Sequence, residues 1–325
     1  MKRRAFIAVL GGAAAWPLAA TAQHDVVPVI GVLGSGSPSG LWMELFAAFQ
    51  QGLTDGGYIE GRNVTIEARW AEDHYDRLPT LAAELIGHRP AVIAAFATPA
   101  AKAAKAATAT IPIVFVTIAD PVQIGLVASL NHPGSNMTGV GQLGVEIEPK
   151  LLELLQEAVP SAAVGQLVNP TNPNAATQSR TVQEAAQRLG VQLHALNASN
   201  ASEFNPAFAK LSDLHVGALM VSQDVLFLSA AEQLATLSAR YRIPAIMALR
   251  EFAAAGGLMS YSPNQRNSYR QAGLYVGRIL KGEKSSDLPV MQATKFDLVI
   301  NLKTAKAFGL NIPLPLLGRA DEVFE

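Results

Sequence analysis

The sequence predicts an α/β protein built as two doubly wound parallel-sheet lobes. Three observations predict it. Short β-branched runs alternate with Ala/Leu-rich segments at helical spacing, which is the mark of βα units around a parallel sheet. The alternation runs in two series, separated by a Gly/Pro/Asn-rich stretch from Asn131 to Gly141 that reads as a hinge region. A length of 325 residues suits two domains or one large one, and two similar lobes are more economical than one giant sheet.

In the first series Val29 to Leu33 reads as a strand and Leu41 to Gly52 as its helix, with Leu45, Phe49 and Leu53 at four-residue steps on one face. Strands at Val64 to Ala68, Ala91 to Ala95 and Ile113 to Thr117 alternate with helices at Arg77 to Gly87 and Ala100 to Thr108, so this half is expected to be four strands deep. The second series begins with the helix Lys150 to Val159 and the strand Val164 to Val168. It continues through helices at Ala175 to Leu189, Phe204 to Leu214 and Ala230 to Tyr241, with strands at Gln192 to Leu196, Ala218 to Val221, Ala245 to Ala248 and Leu258 to Tyr261. Tyr261-Ser262-Pro263-Asn264 reads as a second crossing between the lobes.

Half the residues are apolar and only 16% are charged, which argues against disorder. The chain has no cysteine, so disulfides, thiol nucleophiles, iron–sulfur clusters and thiolate zinc sites are excluded. At the N-terminus Lys2, Arg3 and Arg4 precede an apolar run from Phe6 to Ala15 and then Ala20-Thr21-Ala22, the layout of a signal peptide cleaved after Ala22. Arg3-Arg4-Ala5-Phe6-Ile7 resembles a twin-arginine export signal and predicts a periplasmic mature protein. Its removal takes the formal charge from −1 to −4, and no basic block remains to neutralise phosphates, so nucleic acid is not an expected partner.

In open parallel sheets the ligand crevice lies beyond the carboxyl ends of the strands. In the first half those ends carry Gly34-Ser35-Gly36-Ser37-Pro38-Ser39-Gly40, then Thr98-Pro99 as a helix cap, then Asp120-Pro121 as another cap or an acceptor for an ammonium group. The glycine loop misses the G-x-G-x-x-G dinucleotide spacing. In the second half they carry Asn169-Pro170-Thr171-Asn172-Pro173-Asn174 and Ser222-Gln223-Asp224, while Arg250 and Glu251 read as a surface pair at a helix start. Trp42 and Trp70 are cleft candidates for which core packing is the commoner role. The six histidines are scattered without metal-ligand spacing, and no nucleophile elbow or phosphate loop is present, so neither a metal nor a cofactor is expected.

Several ordered segments resemble the substrate-binding proteins of bacterial ABC transporters, in the type 1 periplasmic-binding-protein fold and its tryptophan- and aromatic-amino-acid-type branch. They include Gly56-Gly57-Tyr58-Ile59-Glu60-Gly61, Tyr75-Asp76-Arg77-Leu78-Pro79, Ile111-Pro112-Ile113-Val114-Phe115 with Asp120-Pro121, Asn169-Pro170-x-Asn172-Pro173, Gly256-Gly257-Leu258-Met259-Ser260-Tyr261 and Lys295-Phe296-x-Leu298-Val299-Ile300-Asn301. The resemblance spans nearly the whole chain.

It implies two lobes joined by three crossing strands, closing over a small solute that is handed to an inner-membrane ABC permease. On this reading lobe one is residues 28–140 plus 262–292, and lobe two is residues 141–261 plus 293–325. The ligand loops carry over to Ser35, Ser37, Thr98 and Asp120 in lobe one and to Asn169, Asn172, Asp224 and Tyr261 in lobe two. The implied protein is a monomeric receptor and not an enzyme, with an amino acid as the leading solute. A periplasmic cofactor enzyme and a sensory receptor for a membrane kinase are the alternatives.

Overall fold

The computed structural model describes residues 27–160 and 163–325, and the expected export signal lies outside them. The chain opens with β1 (Val29–Gly34) and α1 (Gly40–Asp55), whose buried Trp42, Leu45, Phe49 and Leu53 form the apolar stripe of an amphipathic helix. There follow β2 (Thr65–Trp70), α2 (Leu78–Gly87), β3 (Val92–Phe96), α3 (Thr98–Ala107), β4 (Ile113–Thr117) and β5 (Met137–Gly141). β3, β4 and β5 are buried at every residue, as parallel strands covered on both faces must be.

The second series is α4 (Glu148–Ala158), β6 (Val164–Val168), α5 (Ala175–Leu189), β7 (Leu193–Asn197), α6 (Phe204–Asp213) and β8 (Ala218–Val221). It continues with α7 (Val225–Ser229), α8 (Ala231–Tyr241), β9 (Ala245–Met247), α9 (Arg250–Ala254) and β10 (Met259–Pro263). The chain ends with α10 (Gln265–Leu280), β11 (Met291–Gln292), β12 (Phe296–Asn301), α11 (Leu302–Ala307), α12 (Leu314–Leu317) and β13 (Glu322–Phe324).

Two sheets result. The first has the order β11-β5-β4-β3-β1-β2 with every pairing parallel, and the second has the order β13-β12-β10-β9-β8-β6-β7 with only β10 and β12 antiparallel. The chain passes between them after β5, after β10 and after β11. After the second crossing α10 returns to the first sheet's side, where Arg270 binds Asp55 of α1 at 2.7 Å. One buried apolar cluster runs across the seam, from Trp42, Leu45 and Phe49 to Val225, Phe227 and Leu234. Separate clusters cover the outer faces of the two sheets.

The first half is deeper than the expected four strands, because β5 and β11 extend its sheet to six. β5 falls inside the stretch expected to be a hinge. Its Gly139 packs so tightly on β4 that a Cβ there would lie 2.1 Å from the Phe115 carbonyl oxygen, and the glycine that permits this contact is also what makes the segment look like a loop. The crossing itself follows Gly141. The second crossing also lies later than expected, since Ser262 and Pro263 still pair with Asp297 and Phe296 in the second sheet.

Candidate functional site

Strand order fixes where a ligand crevice can form. In the first sheet the order reverses at β1, between β3 and β2, so the loops after β1 and β3 diverge to opposite faces and leave a crevice at their carboxyl ends. In the second sheet the same reversal occurs at β6, which throws the loops after β6 and β8 apart. These two crevices meet at the seam. Between them lies a cavity of about 20 Å³ lined by Trp42, Thr98, Gln142, Asn174, Gln223 and Asp224, with Asn172, Gln265 and Tyr269 completing the wall.

Asp224 is the centre of the second lobe's side. It caps α7, its Oδ1 accepting the Leu226 N–H at 2.9 Å, and it also accepts the Asn169 amide at 3.0 Å, the Asn172 amide at 2.6 Å and the Tyr75 hydroxyl at 2.7 Å. Burial pushes its carboxyl above the usual carboxylate range, and the donated hydrogen bonds oppose that push. The Asn loop is itself rigid: Asn169 Oδ1 accepts from the Thr171 N–H and hydroxyl, and Asn172 Oδ1 accepts from the Asn174 N–H.

Tyr75 follows β2 of the first sheet, so its bond to Asp224 crosses the seam. Two further bonds do the same: the Trp42 indole donates to Ser229 Oγ at 2.8 Å, and Ser229 Oγ reaches Asp73 Oδ1 at 3.3 Å. Burial, with the Asp224 charge second, pushes the Asp73 carboxyl up to about 6. Among the described residues no Lys, Arg or His side chain lines the cavity, and Asp224 is the acidic group in its wall.

Among the described residues four polar atoms in the cavity wall are buried without a hydrogen bond: Gln142 Nε2, Asn174 Nδ2 and both Nε2 and Oε1 of Gln223. Buried polar groups are almost always paired, so such a concentration in one small cavity is the pattern of a site built to hold a hydrogen-bonding solute. Ala97, at φ 72°, adds a left-handed non-glycine residue to the same wall, and backbone strain of this kind gathers at ligand sites.

Of the residues expected at the site, Thr98, Asn172 and Asp224 line the cavity and Asn169 braces Asp224. Thr98 is not the helix cap. The left-handed Ala97 takes that position, which places Thr98 in the first turn with its Oγ1 2.7 Å from that of Thr117. Ser35 is buried, and its hydroxyl is spent on the Phe96 carbonyl at 3.1 Å and the Ala100 N–H at 3.1 Å, stapling the β1 loop to α3. Ser37 is half-buried in that loop before α1. Asp120 caps its own turn by accepting from Val122 N–H at 2.8 Å and Gln123 N–H at 3.2 Å. Tyr261 stacks on Phe296 across the paired strands β10 and β12, with ring centres 5.6 Å apart. None of these last four lines the cavity.

Arg250 pairs with Glu322 of β13 in a two-pronged contact at 2.5 and 2.7 Å, not with its neighbour Glu251. The glycines of the β1 loop serve packing: a Cβ on Gly34 would lie 2.2 Å from the Trp70 ring, and one on Gly36 would lie 2.3 Å from the Trp42 indole nitrogen. Sequence reasoning missed Gln142, which sits in no local motif, and gave Tyr75 no role at the site although it opens the Tyr75-Asp76-Arg77-Leu78-Pro79 segment. Among the described residues no cluster of three His, Asp or Glu side chains is arranged to hold a metal ion, and no helix is long and apolar enough to cross a membrane.

Two α/β lobes whose facing strand ends enclose a polar pocket define a two-lobed substrate-binding protein of the type 1 periplasmic-binding-protein fold. More distant periplasmic binding proteins share this fold. Residues 41–324 match the family described as ABC transporter substrate binding protein, and the chain belongs to that family. A tyrosine-binding protein from Clostridioides difficile is 28% identical over 81% of this chain and 75% of its own length.

Among solved structures, an ABC domain from Streptococcus pneumonia in complex with L-Trp superposes with a TM-score of 0.81 at 25% identity, covering 91% of this chain and 99% of that one. The ligand-free, open structure of a substrate binding protein with adhesive properties from Clostridium difficile reaches 0.64 at 27% identity, covering 92% of this chain and 99% of that one. At nearly equal identity and coverage, the chain superposes better on the L-Trp complex than on the open form. The hydrogen bonds across the seam fit that difference.

Proposed function

We propose that this protein is the periplasmic solute receptor of an ABC importer and that it binds an α-amino acid, with aromatic side chains favoured, in the pocket around Asp224. The observation that carries this reading is a buried carboxylate in a pocket that, among the described residues, has no cationic side chain in its wall. A charge so placed is costly unless an opposite charge joins it, and an α-ammonium group is the partner that fits. The solute carboxylate falls to Gln142 Nε2 and the Thr98 hydroxyl at the start of α3, where the helix end favours negative charge. Gln223 and Asn174 serve the remaining polar groups. The tyrosine- and L-Trp-binding relatives support the choice of amino acid.

A cavity of about 20 Å³ holds roughly one water molecule, so admission of an amino acid requires the seam to part and the Tyr75 hydroxyl to yield space beside Asp224. The lobes are residues 28–141 plus 264–292 and residues 142–263 plus 293–325, moving about the three crossings. The protein acts as a monomer that releases its solute unaltered to a permease, without cofactor, metal or nucleic acid, after export directed by residues 1–22.

The test is calorimetric titration with L-tyrosine, L-tryptophan and L-phenylalanine beside their des-amino and carboxamide analogues. The intact amino acid is expected to bind, and its des-amino analogue to lose at least about 100-fold, since it leaves Asp224 buried without its cation. Equal binding of the des-amino analogue would sink the assignment. Loss of uptake of the labelled amino acid on deletion of the gene tests the importer role.

A further inference from the structure

We propose that Glu148 is a positioning residue that sets the Gln223 carboxamide in the pocket and makes solute affinity depend on its own ionisation. The inference rests on the reading of the pocket as the solute site. Glu148 is fully buried at the first turn of α4, just past the first crossing between the sheets. Its Oε1 accepts the Gln223 backbone N–H at 3.0 Å and the Gln178 amide at 2.7 Å, and its Oε2 accepts the Ser222 hydroxyl at 3.2 Å. Gln178 Nε2 also donates to the Gln223 carbonyl at 2.8 Å, so both backbone groups of Gln223 are held from behind.

The side chain of Gln223 is thereby free of other duties, and both its polar atoms are buried and unpartnered in the cavity wall. The same crossing shapes it from the side, since a Cβ on Gly144 would lie 2.0 Å from Gln223 Oε1. One segment, residues 142–148, therefore supplies a pocket amide at Gln142, a wall at Gly144 and the clamp at Glu148.

The groups facing Glu148 are neutral: Gln178 of α5, Ser222 and Gln223 after β8, and Gln166 of β6, which donates to Ser222 Oγ at 2.9 Å. Glu146, two residues before it, is the charged group whose repulsion reaches it. Burial, first of all, holds the Glu148 carboxyl up at about 7, so it changes charge near neutrality. Ionised, it accepts charge-assisted hydrogen bonds that grip the Gln223 N–H more tightly than a protonated carboxyl can.

Glu148→Gln keeps the shape and the acceptor but cannot ionise. Affinities for L-tyrosine and L-tryptophan, measured by calorimetry from pH 6 to 8, are expected to drop about fivefold more in the wild type than in Glu148→Gln as the pH falls. Comparing the two proteins at each pH removes the shared titrations of Asp224 and Asp73. Parallel profiles would overturn the proposal. A second arm needs no solute: hydrogen exchange at the Gln223 amide, corrected for the intrinsic rate, is expected to slow as pH rises through 7 in the wild type and to change little in the variant. Equal protection in the two proteins would likewise overturn it. A wild type that binds neither amino acid defeats the reading of the pocket, while the exchange arm still decides the role of Glu148.

Discussion

The hydroxyl of Tyr75 donates across the seam to Asp224 Oδ2 at 2.7 Å, joining residues 149 positions apart and tying the edge of the first sheet to the pocket of the second. A hydrogen bond to an ionised acceptor is worth about 1.5–3 kcal/mol, so this contact is a sizeable share of what holds the lobes together. Tyr75→Phe removes the hydroxyl and keeps the ring. The variant is expected to open further in solution, with a larger radius of gyration by small-angle X-ray scattering in the absence of solute. An unchanged radius would mean that the apolar seam alone keeps the lobes shut.

Asp73 makes the stability of the seam fall as pH rises. Its carboxyl rises from 3.8 to about 6, first through burial and then through the charge of Asp224. A carboxyl raised by folding binds its proton more tightly in the native state, so its stabilising contribution is complete below about pH 4 and is lost as pH climbs through 6. Partial exposure reduces the effect to on the order of 1 kcal/mol. Melting temperatures from pH 4 to 7 are therefore expected to fall more steeply in the wild type than in Asp73→Asn. Glu148 titrates in both proteins, so the difference between the two slopes belongs to Asp73 and its coupling to Asp224. Identical slopes would refute this account.

The sequence carries the parts of this site that sit at strand ends. Thr98, Asn172 and Asp224 follow β-branched runs and precede helices, and strand order brings such loops together whatever their sequence separation. Ser35 was equally visible, but only the packing shows its hydroxyl consumed by Phe96 and Ala100. Asp120 and Tyr261 stand in suitable local contexts, yet one closes its own turn and the other lies on a crossing strand against Phe296. Gln142 carries no local pattern, and the segment that Tyr75 opens does not reveal its hydroxyl's role, because that role arises from the approach of one lobe to the other. β5 was hidden by the glycine that its tight pairing requires. Local chemistry is thus legible in sequence, and contacts made by closure are not.

The glycine-rich β1 loop makes a packing prediction. Gly36 leaves room for the Trp42 indole, which in turn reaches Ser229. Gly36→Ala forces that ring aside, at a cost of about 1–3 kcal/mol for overpacking. The variant is expected to fold with a lower melting temperature and weaker solute binding, whereas Gly40→Ala, where a Cβ meets nothing within 4 Å but φ is +51°, is expected to lose stability through backbone strain while binding normally. Equal affinities in the two variants would remove the indole from the site.

Trp42 also offers an optical report of the pocket. It is buried against the cavity and donates across the seam, whereas Trp70 packs among Phe46 and Phe96 away from the cavity wall. Opening or filling the pocket changes the polarity and hydrogen bonding of the Trp42 indole and leaves Trp70 in place. Titration with L-tyrosine or L-phenylalanine, excited at a wavelength selective for tryptophan, is expected to shift the emission of the wild type. Trp42→Phe should abolish that shift and also weaken binding, because it deletes the bond to Ser229, worth about 1 kcal/mol in closure. Trp70→Phe should preserve the shift. A shift that survives in Trp42→Phe and vanishes in Trp70→Phe would move the responsive site to the other side of the first sheet's edge and contradict the pocket described above.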